Sequence, residues 1–167
     1  MNVKLARVLR HLFSLPGAVA RALPAASLAR IEQAVKKAEA DHRGEIRFAV
    51  EAALESGALL SGQSSRSRAL EVFSLLRVWD TEENNGVLIY LLLADRAAEI
   101  VVDRGIHAKV DSADWRHICR RMESAFAKRE FEPGVVSGIE EVSRLLAQHF
   151  PPRRGDRNEL PDKPVVL

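Results

Sequence analysis

Asn85-Gly86-Val87-Leu88-Ile89-Tyr90-Leu91-Leu92-Leu93-Ala94-Asp95-Arg96 is the stretch on which the fold turns. From Val87 to Leu93 it shows no polar alternation, so it reads as a central strand buried on both faces. Val87, Ile89, Leu91 and Leu93 are expected to face one helical layer, and Leu88, Tyr90 and Leu92 the other. Asn85-Gly86 reads as a turn before the strand, and Asp95-Arg96 as a tight hairpin turn after it. Glu99-Ile100-Val101-Val102-Asp103 is then the returning antiparallel strand, which sets Asp103 opposite Leu88.

Working outward, Glu45-Ile46-Arg47-Phe48-Ala49-Val50-Glu51 alternates polar and apolar residues, the pattern of a strand with one buried face. Glu45 and Arg47 share its other face and read as an ion pair or as part of an exposed edge. A helix from about Arg66 to Val78, with Ala69, Val72, Phe73 and Leu76 inward, joins the two strands as a right-handed parallel crossover. A helix from about Ala25 to His42 precedes them, with Leu28, Ile31, Val35 and Ala38 on one face. Two more helices follow. Trp115, Ile118, Cys119, Met122 and Phe126 line the first, Val135, Ile139, Val142 and Leu146 the second, and Pro133-Gly134 reads as the break between them. The fold class is α/β, a three-layer α/β/α sandwich with a small mixed sheet built from a parallel crossover and an antiparallel hairpin.

The chain has 167 residues, 47% hydrophobic and 29% charged, the profile of one folded domain. A single cysteine, Cys119, excludes an internal disulfide and a cysteine-built zinc site. The net charge is +2, yet residues 1–31 hold five basic groups and no acid, leaving 20 basic against 23 acidic on the remainder. A slightly acidic body does not look like a nucleic-acid binder. The basic excess is local. Residues 1–23 read as a basic amphipathic arm, with Leu5, Val8, Leu9, Leu12 and Phe13 on one face and Lys4, Arg7, Arg10 and His11 mostly on the other. Pro16 and Gly17 break it.

Such an arm suits an anionic membrane surface, and the competing reading is that Leu9, Leu12 and Phe13 pack on the body. Ala18-Val19-Ala20 resembles an export cleavage site, but the preceding apolar stretch is short, carries His11 and is interrupted by Pro16. The expected location is cytoplasmic, peripheral to the inner membrane. Residues 24–150 form the domain, and the proline-rich tail 151–167 reads as flexible.

The quoted stretch, with Glu99-Ile100-Val101, Gly105-Ile106, Phe131-Glu132-Pro133-Gly134 and Gly138-Ile139, resembles the TPM domain family over roughly residues 25–150. The resemblance implies an α/β/α sandwich, divalent-cation binding in some members and a phosphatase activity proposed for plant members. This chain departs from the family at Val102-Asp103-Arg104-Gly105, where a glycine pair is expected.

Two candidate sites follow. The loop Asp80-Thr81-Glu82-Glu83-Asn84-Asn85 enters the sheet where the hairpin ends, so Asp80, Glu83, Asn84 and Asp103 can bring oxygen ligands to one calcium or magnesium ion. At the opposite edge, Ser61, Ser64, Ser65 and Arg66 near a helix start can hold an anion. No organic cofactor motif occurs, and no P-loop, zinc-protease or serine-nucleophile motif. Cys119 reads as core. The function expected is a non-catalytic interaction or cation-binding domain with a protein partner of unknown identity. The alternative, which the resemblance implies from other family members, is a metal-assisted phosphatase.

Overall fold

The computed structural model describes residues 3–14 and 17–167, with side chains from Leu5 onward. Pro16, expected to break the arm, lies outside the described residues. The elements run α1 (Val3–Leu12), α2 (Ala18–Ala22), α3 (Ala25–Glu39), β1 (Glu45–Glu51), α4 (Ser56–Leu60), α5 (Ser65–Leu75), β2 (Gly86–Leu92), β3 (Ala97–Val102), α6 (Arg104–His107), α7 (Ser112–Ala127), α8 (Phe131–His149) and β4 (Val165–Val166). The sheet order is β3-β2-β1-β4. β1 and β2 are parallel, from Glu45 opposite Gly86 to Glu51 opposite Leu92, and β2 and β3 are antiparallel.

The apolar run becomes the central strand for the reason its sequence suggests. Val87, Ile89 and Leu91 join one core with Ile46, Phe48, Val50 and residues of α3, α7 and α8. Leu88, Tyr90 and Leu92 join a second core with Ala49 and with Ala69 and Val72 of α5. Two cores on opposite faces of one sheet make the three-layer sandwich.

Four local expectations are corrected. The hairpin turn takes four residues, 93–96, with Arg96 at φ 51°. Val87 therefore pairs with Val102, and the Asp103 N–H donates to Gly86 O at 2.9 Å, placing Asp103 beside Gly86 and not opposite Leu88. The break between the last two helices falls at Lys128–Glu130, where Arg129 takes φ 64°. Pro133 then sits in the first turn of α8, a position that needs no backbone N–H partner inside the helix. Residues 55–65, whose serines and glycines read as a loop, contain the short helix α4.

The fourth correction concerns β1, all seven residues of which are buried. Its polar alternation marks a face covered by polar partners. Residues 160–167 supply most of that cover and are not loose. β4 pairs in parallel with β1, Ala49 opposite Val165 and Val50 opposite Val166. Glu45 Oε2 accepts the Leu160 N–H at 3.0 Å, and Arg47 donates to Pro161 O and Lys163 O. Glu45 and Arg47 are thus buried, and their partners are backbone groups, so the expected exposed edge is corrected.

Candidate functional site

Three places in this fold gather chemistry. The first is the end of the sheet where β2 begins. Asp80 is exposed. Glu83 is taken by Arg43 and by Arg153, whose Nη1 lies 3.4 Å away. Asn84, at φ 52°, accepts from Arg104 Nε at 2.8 Å through Oδ1. Asp103 caps α6 by accepting the Arg104 N–H at 2.7 Å through Oδ1, while its Oδ2 is buried with no hydrogen-bond partner among the described residues. The backbone adds further oxygens. A Cβ on Gly105 would lie 2.6 Å from Asn84 O and 2.7 Å from Glu83 O, so two carbonyls close on a residue that must be glycine. Of the four expected ligands, Asn84 and Asp103 are linked through Arg104, Glu83 is engaged by arginines and Asp80 faces solvent. Among the described residues, no group of three His, Cys, Asp or Glu side chains is placed to hold a metal.

The second place is a cleft of about 640 Å³ at the carboxyl end of β1, lined by Glu51, Leu54, Ser61, Ser64, Ser67 and Arg68 among others. The four residues expected to hold an anion are divided here. Ser61 and Ser64 line the cleft, and Ser64 Oγ caps α5 by accepting the Ser67 N–H at 3.0 Å. Ser65 and Arg66 turn to the hairpin, donating to Glu99 Oε1 at 2.6 Å and to Ile100 O at 2.5 Å.

The sequence reading missed the core of this cleft. Glu51 accepts from Tyr90 Oη at 2.6 Å and from Arg68 Nε and Nη2 at 2.9 and 3.0 Å. Burial, then the bond to Glu51, pushes the Tyr90 hydroxyl well above its ordinary range. The Glu51 bond likewise holds Arg68 firmly charged. One signal was available: a tyrosine inside an apolar central strand must find a partner for its hydroxyl.

The third place is the arm. Asp95, in the hairpin turn, accepts from Arg7 Nε at 2.8 Å and from Arg10 Nη2 at 3.3 Å, and His11 Nε2 lies 3.1 Å from it. Burial alone would raise this carboxyl, but Arg7 and His11 hold it below its ordinary value. His11 Nδ1 also accepts the Leu54 N–H at 3.0 Å. The polar face of α1 therefore points inward. Its apolar face points out: Leu5 is 53% exposed, Leu12 58% and Phe13 74%. The reading in which Leu9, Leu12 and Phe13 pack on the body is overturned, because Asp95 binds the opposite face.

Cys119 is half-buried at a cleft between β3 and α7, and burial pushes its thiol up to about 12, away from thiolate formation. No helix among the described residues is long and apolar enough to cross a membrane.

Residues 19–145 match a family described as the TPM domain. Among solved structures, the NMR structure of BA42 protein from the psychrophilic bacterium Bizionia argentinensis sp. nov. is similar at 32% identity and a TM-score of 0.75. The likeness covers 87% of this chain and 95% of that one. No curated protein matches the chain. α1 and β4 both lie outside the family match.

Proposed function

The chain belongs to the TPM domain family, and from that premise we propose that it is a non-catalytic TPM domain that docks peripherally on an anionic membrane through α1. The inverted amphipathy of α1 carries the reading: its cationic face is anchored by Asp95 while Leu5, Leu9, Leu12 and Phe13 stand in solvent. A helix in this pose can sink its apolar face to the acyl boundary, and nearby cations add about 1 kcal/mol each near an anionic surface. The surrounding segment, residues 1–31, carries five basic groups and no acid. Co-sedimentation with phosphatidylglycerol vesicles tests the reading. The full chain is expected to bind them and to ignore phosphatidylcholine. Leu12→Asp with Phe13→Asp is expected to lose binding about tenfold or more without lowering the melting temperature, since both side chains are exposed. Binding that survives the double substitution would sink the proposal.

A second reading rests on the buried Asp103 Oδ2, which has no hydrogen-bond partner among the described residues, at the sheet end where the Glu83 and Asn84 carbonyls close on Gly105. Oxygen donors of this kind suit calcium or magnesium. The ion is expected to raise the melting temperature by mass action, and Asp103→Asn to weaken the effect. Asp103→Asn melts that respond to the ion as the parent does would refute it. Hydrolysis of a phosphate ester that depends on the same ion would favour the metal-assisted phosphatase instead.

A further inference from the structure

The sheet carries at its β1 edge an extended segment that the rest of the domain holds largely by its main chain, with the Leu160 side chain as an apolar anchor. Val165 and Val166 pair with Ala49 and Val50, and the Leu167 N–H donates to Val50 O at 3.0 Å. Further back, Glu45 Oε2 accepts the Leu160 N–H at 3.0 Å, Arg47 Nη1 donates to Pro161 O and, at 3.3 Å, to Lys163 O, and the Glu82 N–H donates to Glu159 Oε2 at 2.9 Å. Leu160 is buried against the second core. Two charged side chains of β1, Glu45 at 4% exposure and Arg47 at 7%, are thus committed to backbone groups of this segment. Burying them is costly unless such partners are present. Without the segment, β1 would be a bare edge, and a bare edge recruits another strand.

The link to the body is of a different character. Residues 151–159 are all exposed, and Gly155 takes φ 82°. A docked strand on an exposed connection is the arrangement that permits an identical element to pass between protomers. Recognition through the main chain is also how extended peptides add to sheet edges in general.

We propose that the β1 edge is a peptide-acceptor site, that residues 159–167 are its resident ligand, and that this segment is exchanged between two copies of the chain. The tethered segment competes at an effective concentration in the millimolar range, so the closed monomer dominates in dilute solution and exchange grows with protein concentration.

The test uses the chain truncated after Asn158 and a labelled peptide of residues 159–167. The truncated chain is expected to bind the peptide saturably. Arg47→Met in that chain is expected to weaken binding about tenfold or more, because charge-assisted bonds to backbone carbonyls are lost. The full chain, with its site filled, is expected to bind far less. A folded truncated chain that ignores the peptide overturns the acceptor site. If the truncated chain does not fold alone, refolding with the peptide is expected to restore a cooperative melt, and failure to restore it overturns the site equally. For the exchange itself, full-length chain refolded at rising concentration is expected to give a dimer in sedimentation that truncation abolishes. A chain that stays monomeric throughout, or a dimer that survives truncation, overturns the exchange.

Discussion

Gly86→Ala is expected to destabilise the domain by about 3 kcal/mol or more, at the upper end of what overpacking a core costs. Gly86 opens β2 between Glu45 on one side and the hairpin on the other. Its φ lies outside the left-handed region, so torsion is not the reason for glycine. The reason is close approach: a Cβ there would sit 1.9 Å from the Val78 carbonyl oxygen and 3.0 Å from its carbon. Neither atom belongs to a flexible side chain. Val78 is fully buried and its N–H donates to Phe73 O at 3.1 Å, while Gly86 O accepts from Asp103 at 2.9 Å. Relief therefore means moving the loop off the sheet or pulling β2 out of register. For a chain of this size the loss corresponds to a fall in melting temperature of roughly 6–12 °C. Gly57→Ala is the internal control, since nothing lies within 4 Å of its Cβ position and it sits in α4. That change should be neutral or slightly stabilising, as alanine favours the helix. A Gly86→Ala loss under about 1 kcal/mol would show that the loop yields and that close approach does not explain the glycine.

Between pH 7 and 9 the stability of the parent chain is expected to fall, and Glu39→Gln to flatten that decline. Glu39, at the end of α3, accepts the Ile46 N–H at 2.8 Å. Burial pushes its carboxyl up to about 9 against the effect of that bond, with Glu45 and Asp162 acting in the same upward direction. The folded state therefore keeps the proton across a range in which the unfolded chain has lost it. Stability is complete below the unfolded value near 4.5 and is lost progressively as pH rises toward 9. One proton gives at most about 1.4 kcal/mol per pH unit. Glutamine keeps the acceptor for Ile46 and carries no charge. Denaturant unfolding at pH 7, 8 and 9 reads both slopes. Parallel slopes for the two proteins would mean that Glu39 ionises in the folded state as it does in water. His42 does not confuse the window, since burial lowers its imidazole to about 4 and its contribution is lost only on acidification below its ordinary value of 6.5.

The candidate sites were legible in uneven measure. The acidic loop and Asp103 stood out as composition, and the fold does bring Asn84 and Asp103 together through Arg104. What composition could not convey was the competition for Glu83 from Arg43 and Arg153, residues 40 and 70 positions away in the chain. The Glu51–Arg68–Tyr90 network was missed because its members lie on three elements and none has a recognisable local spacing. The arm was recognised as amphipathic, but nothing local to it says which face turns inward; Asp95 decides that.

By itself the sequence determined the sandwich. An apolar run too short for a membrane span and without alternation must be a strand covered twice, and the periodic helices around it supply the cover. It also determined the basic arm and the family likeness, both of which are local patterns. Tertiary structure alone decided the fate of the polar groups. Glu45, Arg47 and Glu51 look solvent-facing because alternation reports polarity, and polarity equals exposure only when no polar partner arrives. Here the partners arrive from Arg68 and from residues 160–163, more than a hundred positions away. Hydrogen bonds and ion pairs are satisfied by whichever group the fold delivers, and that delivery is a property of the whole chain.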